Sequence, residues 1–472
     1  MNLSSNGTHD RGNLIFFIII CIITAFGGFL FGFDTAVISG AISPLTDYFE
    51  LGDQPVLLGW TVSSVLLGSV LGAAVSGMAD NIGRKNTLII AAILFTISAL
   101  GSAIVESLTF FIVARLIGGF GVGMAAMVVP LYISEVSPPK IRGRMVSMYQ
   151  LSITVGVLMA YFTNEYFRGL SQSRAFQGSS ERFIDWIMGD VWRVMLGSEL
   201  IPSFLFLILL FMVPRSPRFA MSRGKKGEAL KILAKINGKA IAQKEIVEIE
   251  QAIDQEKASF AQLFKPGLKK ATFIALFLAI ISQLSGIDII LHYGPLIMER
   301  AGLSFGQSLY GQIVFGVVLV LFTLLAMWKV DQMGRKKLLF IGNIGVFLSL
   351  AFIGYLFSLG EGHESALIIT ISIFIASFSF SLGPIPWIIM SEIFPTKVRG
   401  RAMALGTLVL FGSNWLVAQL FPWLSAVLGE HGVFWLLAAI SVLTFPFIFK
   451  VLPETKGKSL EEIENYWEDT KR

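Results

Sequence analysis

Four side chains able to carry a charge or a proton lie in apolar surroundings: Asp34 in "FGFDTAVISG", Arg115 in "ARLIGGFGVG", and Asp288 with His292 in "SQLSGIDIILHYGPLI". An isolated charge at the centre of a bilayer costs at least about 2.5 to 3.5 kcal/mol. The ionised members, Asp34, Arg115 and Asp288, must therefore face protein rather than lipid, and each needs a partner. Burial favours the neutral form of an aspartate, whereas a nearby guanidinium favours the anion. A buried acid that meets and leaves an arginine can therefore take up and release a proton. Asp288 and His292 stand four residues apart and share a face wherever the helix between them is continuous. Three readings are open for them: a polar pair bracing its helix, a second proton site, or a reader of a substrate with a cationic or unusual hydroxyl arrangement. An ordinary histidine pKa of about 6.5 suits the second.

The elements that must hold these residues are membrane spans. Of 472 residues, 54% are hydrophobic and 15% charged, against roughly 25% charged in soluble chains. About 20 apolar residues cross the hydrocarbon core. By that measure twelve spans begin near residues 14, 56, 86, 109, 145, 194, 271, 308, 337, 366, 402 and 433. The first, from Leu14, reads as a span and not a signal peptide, since it lacks a cationic leader and a small-residue cleavage site. The charged stretch from Pro214 to Lys270 divides the spans six and six. The expected organisation is an N-terminal half over 1–213, a linker with short amphipathic helices over 214–270, a C-terminal half over 271–450 and a tail over 451–472.

Thirty-one of the 37 Lys and Arg residues fall in the termini, the linker and the even-numbered loops. The odd-numbered loops hold Arg168, Arg174, Arg182, Arg193 and Arg300, and Arg115 lies within a span. The positive-inside rule then puts both termini and the linker in the cytoplasm of a multi-pass protein of the cell (inner or plasma) membrane. The net charge of +5 is thus a topology signal, and no nucleic acid is expected as a partner. The sequon at Asn6 falls on the cytoplasmic side and is not expected to be glycosylated.

Other chemistries lack their residues. Cys21 is the only cysteine, so no disulfide forms within the chain, and His9, His292, His363 and His431 show no zinc spacing. "GGFGVG" in span four has no preceding strand, so it is not a dinucleotide loop. Gly119 and Gly123 instead make a small-residue face for close helix packing. With no nucleophile–base–acid set and no phosphate loop, the chain is not expected to be an enzyme or to carry a cofactor.

The chain repeats itself. "DNIGRK" (Asp80 to Lys85) recurs as "DQMGRK" (Asp331 to Lys336), 251 residues later. "SEVSPPKIRGR" (Ser134 to Arg144) recurs as "SEIFPTKVRGR" (Ser391 to Arg401), with seven of eleven positions identical. Two parallel six-helix repeats are a transporter architecture with a midplane site between the halves. Arg84, Glu135 and Arg144 recur as Arg335, Glu392 and Arg401. Such charges form a cytoplasmic gate if they pair when the site faces outward and separate when it opens inward.

On these motifs, with "PLYISE", "GPIPW", "SEIFP" and "PETKG", the chain resembles the sugar porters of the major facilitator superfamily. Bacterial proton-coupled pentose and hexose symporters are the nearest in character. The resemblance implies an all-α membrane protein: twelve transmembrane helices in two six-helix pseudo-symmetric halves, the major facilitator fold. It implies Asp34 and Arg115 as the proton-coupling pair, with the proton as coupling ion. It gives Asp80, Arg84, Glu135, Arg144, Asp331, Arg335, Glu392, Arg401 and Glu454 as gate residues. It also implies substrate contacts from Gln150, Gln283, Asp288, His292, Tyr293, Trp387, Asn414 and Trp415. The chain departs from the family pattern at Ser282, Asp288 and His292, where Gln, Asn and Tyr are usual, and at Leu319 and Ala418, where Asn is usual. Arg215 replaces a gate glutamate. The hydroxyl-reading set is therefore rewritten around a retained framework.

The function expected is proton-coupled symport of a monosaccharide or related polyol by alternating access, by a monomer in the lipid bilayer. An uncoupled sugar facilitator is the near alternative. A transporter-like nutrient sensor is the alternative from another class, although only a short stretch follows Pro453 where sensors carry long tails.

Overall fold

A computed structural model describes residues 13–138, 141–172, 190–254 and 260–456. The Asn6 sequon, most of the loop between spans five and six and the tail from residue 457 lie outside the described residues. The described chain is helical, without strands. In the N-terminal half α1 is Leu14–Tyr48, α2 Pro55–Val75, α3 Arg84–Ile104, α4 Leu108–Val136, α5 Arg142–Gln172 and α6 Val191–Leu210. In the C-terminal half α7 is Lys269–Arg300, α8 Phe305–Met333, α9 Arg335–Leu359 and α10 Glu364–Glu392.

Eleven helical stretches among the described residues are long and apolar enough to cross a membrane. The last, Val398–Lys450, has 53 residues, far more than the roughly 20 one crossing needs. It is broken at Gly429, whose φ of 70° and ψ of 165° are not helical. The arms on either side run in opposite directions. Residues 396–428 (α11) climb past Ala418, whose carbonyl accepts from Tyr293 Oη at 2.8 Å, to Ser425 beside Arg300. Residues 430–450 (α12) return along α9, with Trp435 Nε1 on the Ala351 carbonyl and Asn343 Nδ2 on that of Ser441. The twelfth span is this return arm.

The spans place the repeated loops at one end of the bundle, the basic end, with the remaining loops at the far end. Close packing inside the N-terminal half follows from the glycines of α4. A Cβ on Gly119 would fall on the Val65 carbonyl of α2, and one on Gly123 on the Ser69 backbone. Two helix backbones meet there with no side chain between them, as small-residue faces allow in lipid.

The linker forms two helices, Lys226–Asn237 and Lys239–Asp254, closed on each other by Ala229, Leu233, Ala242 and Ile246. Their contacts with the N-terminal half include the Asn13 N–H donating to the Lys235 carbonyl at 2.9 Å and Lys235 Nζ over the Phe16 ring. Inside the linker, Glu245 is half-buried. Burial pushes its carboxyl above the ordinary glutamate value, opposed by a hydrogen bond from Asn237 and the charge of Arg142.

Candidate functional site

Asp34 on α1 and Arg115 on α4 meet inside the N-terminal half. Arg115 Nη1 donates to Asp34 Oδ1 at 2.5 Å and Nη2 to the Asp34 carbonyl at 3.2 Å, and both side chains are 1% exposed. A third group joins them. Glu199, between the two helical segments of α6, is buried, and its carboxyl faces that of Asp34 in the field of Arg115. Asp34 Oδ2 and Glu199 Oε1 are both buried without a donor. Two carboxyls thus lie near one guanidinium, whose described bonds go to Asp34. The sequence argument counts Asp34, Arg115 and Asp288 and omits Glu199. The signal was available, because "MLGSELIPSF" places an acid inside an apolar run.

In the C-terminal half α7 is interrupted at Ser285 and Gly286, where Gly286 has a φ of +85° that only glycine adopts without strain. Gln283 lies just before the break, with its Nε2 on Ser282 Oγ at 3.3 Å. Helix resumes at Ile287, so Asp288 and His292 do share a face, but their side chains do not bond each other. His292 Nδ1 lies 2.7 Å from the Asp288 main-chain carbonyl. That makes Nδ1 the donor and leaves Nε2 as a buried acceptor without a partner. The Asp288 carboxyl instead meets the side-chain amide of Asn414 on α11.

The remaining candidates divide. The Tyr293 hydroxyl is engaged by the Ala418 carbonyl and its ring packs on Phe421, so in this conformation it joins α7 to α11. Trp415 sits half-buried with its Nε1 unpaired and its ring 6.2 Å from that of Trp60 on α2, across the halves. Trp387 follows the turn that interrupts α10 after Phe380 and packs against the cluster of Ala73, Ala126, Ala279, Leu410 and Phe411, which spans both halves. Gln150 is half-buried on α5.

The described side-chain hydrogen bonds that join the two halves lie toward the far end. Ser39 donates to Gln312 at 2.7 Å, Ser43 to Glu299 at 2.8 Å, Ser63 to Gln419 at 2.7 Å and Tyr161 to the Leu291 carbonyl at 3.2 Å. At the basic end each described ion pair stays within one half. Arg84 holds Asp80 at 2.8 Å and Glu135 at 2.9 Å, while Arg335 holds Glu392 at 2.7 Å. Arg144 is exposed, Arg401 lies over the Phe260 ring, and the Asp331 side chain lies outside what is described. The repeat is uneven here. Glu454 accepts from the Arg335 and Lys336 backbone N–H groups, each at 3.1 Å, and so caps the N-terminus of α9. Among the described residues no such acid caps the corresponding start of α3, and Arg215 lies 3.9 Å from Glu228 of the linker.

The arrangement is a bundle whose halves are hydrogen-bonded toward the far end, with a buried acid–arginine–acid group in one half and a break lined by unpaired polar atoms in the other. The family described as "Sugar (and other) transporter" matches residues 20–467. The arabinose-proton symporter of Bacillus subtilis (strain 168) is 40% identical over 470 residues, covering 99% of this chain and 97% of that protein. The D-xylose-proton symporter of Escherichia coli (strain K12) is 37% identical over 486 residues, covering 96% of each. Among solved structures, the xylose transporter of E. coli in a partially occluded inward-open conformation superposes with a TM-score of 0.82 at 34% identity, covering 94% of this chain and 100% of that one. The chain belongs to the sugar (and other) transporter family, the sugar porters of the major facilitator superfamily.

Proposed function

We propose that this protein is a proton-coupled symporter of a monosaccharide or related polyol, working by alternating access as a monomer. The basic end would face the cytoplasm of the cell membrane, with the chain divided into the halves, linker and tail given above. The observation that carries the proposal is the group formed by Asp34, Arg115 and Glu199, buried in the first half with one cation for two carboxyls. A facilitator has no need of such a group, whereas a symporter needs a buried acid whose partner can leave it. The relatives named above, one an arabinose-proton and one a xylose-proton symporter, support the same reading.

In this reading the far-end hydrogen bonds from Ser39, Ser43, Ser63 and Tyr161 close the outer side, and the gate pairs at the basic end are parted into their own halves. Rocking would break the first set and bring the second together, the two-state interface that alternating access requires. Substrate would lie between the halves at the α7 break, against Gln150, Gln283, Asp288, His292, Tyr293, Trp387, Asn414 and Trp415. The test is uptake of labelled L-arabinose and D-xylose into proteoliposomes. Accumulation above the external concentration with an inward proton gradient, abolished by a protonophore, is expected. Equilibration with no response to the gradient would make the protein a facilitator.

A further inference from the structure

The polar atoms left without partners around the α7 break are unequal in kind. Gln283 Oε1, His292 Nε2 and Asn414 Oδ1 are buried acceptors without a donor. The Asp288 carboxyl, itself acceptor-only when ionised, lies against Asn414 and is 8% exposed. The unpaired donors described in this region are Trp415 Nε1 and Gln312 Nε2, the latter against Gly294 of α7. Most carboxyls buried in the spans have cations, and half-buried Glu299, which has none among the described residues, accepts from the Ser43 hydroxyl. Asp34 pairs with Arg115, Glu135 with Arg84 and Glu165 with Arg168, while Glu199 lies in the field of Arg115. Among the described residues Asp288 meets an amide and no cation. A buried carboxylate without a counter-charge is costly, and a bound cation offsets that cost.

A neutral sugar offers hydroxyls that both donate and accept. It satisfies unpaired acceptors but brings no charge. A protonated amine is donor-only, with three N–H groups, and supplies the missing cation as well. We infer that Asp288, with the acceptor of Asn414 beside it, forms a subsite for an ammonium group, so that the preferred substrate is a monosaccharide bearing a primary amine. The inference rests on the sugar-symport reading and narrows its substrate class. An amide at 288 keeps the shape and removes the charge, so the preference resides in that one side chain.

The experiment is direct uptake into proteoliposomes at about pH 7.5, where primary amines are still protonated in large part. The probes are labelled D-glucose, 2-, 3- and 6-amino-deoxy-D-glucose, and N-acetyl-D-glucosamine. At least one amino sugar is expected to be taken up with an apparent affinity about tenfold or more above that of D-glucose, and the N-acetylated form is not. Within the Asp288→Asn variant the apparent affinity for the amino sugar should fall to that for D-glucose, and Asp288→Glu should keep the preference. Uptake of D-glucose with no amino sugar preferred, or a preference that survives Asp288→Asn, overturns the ammonium subsite and leaves sugar transport standing. Entry of L-arabinose or D-xylose with none of these probes also overturns the ammonium subsite, and if the pentoses fail as well, the sugar-symport reading falls with it.

Discussion

Ser39 Oγ on α1 donates to Gln312 Oε1 on α8 at 2.7 Å, a buried hydrogen bond between groups 273 positions apart in the chain. It belongs to the set that joins the halves toward the far end, and must break for the halves to part there. A buried hydrogen bond contributes about 0.5 to 1.5 kcal/mol net. Gln312→Ala is therefore expected to shift the resting population toward a far-end-open state by roughly 2- to 10-fold. Spin labels at exposed Ser107 and His363, in far-end loops of opposite halves, report this as a larger share of long distances. An unchanged distribution would show that Gln312 does not hold the far end closed.

Asp34→Asn keeps the shape of the side chain and removes its charge. Uphill accumulation should be lost, with sugar exchange across the membrane still measurable. Intact accumulation in this variant would remove Asp34 from the coupling mechanism. Arg115→Ala is expected to be worse for folding, since stranding one member of a buried pair costs about 3 to 5 kcal/mol.

Glu199→Gln tests whether two carboxyls share the proton. If the carboxyls of Asp34 and Glu199 act as one site, accumulation fails in this variant too, and the response of uptake to external pH flattens. A variant with wild-type accumulation and pH response would leave Asp34 as the sole carrier.

Gly119→Val should lower the thermal stability of the purified protein in detergent. The added side chain meets the Val65 backbone and not a movable side chain, so relief requires separating α2 from α4. Overpacking of this kind costs about 1 to 3 kcal/mol or more. Gly412→Ala, where the added Cβ meets nothing, is the control and should melt with the parent.

Glu454 gives a pH-dependent contribution. Burial acts to raise its carboxyl, but the N–H groups of Lys456, Arg335, Lys336 and Thr455 hold it below the ordinary glutamate value. A folded-state value below the unfolded one stabilises the protein above the unfolded value and ceases to as pH falls through the depressed one. Glu454→Gln is expected to cost about 0.5 to 2 kcal/mol at neutral pH, as the loss of a helix cap does. The difference from the parent should shrink on acidification below about pH 4. Melting curves at both pH values check it, and a gap that persists at low pH would mean that packing, not charge, is what the variant loses.

The twelve spans, their division six and six, the repeated loops and the need to bury Asp34, Arg115 and Asp288 are all legible in the chain itself. They follow from length, composition and the cost of charge in hydrocarbon, which act on each segment separately. Span starts placed near 14, 86, 337 and 366 agree with helices beginning at Leu14, Arg84, Arg335 and Glu364. The sequence also marks the α7 break, because a glycine sits beside polar residues in an apolar run. Tertiary structure alone decided the partners. Asp288 turns to Asn414 while His292 turns to a main-chain carbonyl. Glu199 lies by Asp34 from another helix, and the gate arginines Arg84 and Arg335 hold acids of their own half while serines and glutamines join the halves at the other end. Lipid-facing and protein-facing sides of these helices are both apolar, so hydropathy says that a helix spans without saying how it is rotated. Rotation about the helix axis selects which polar groups meet, and only the packed bundle sets it.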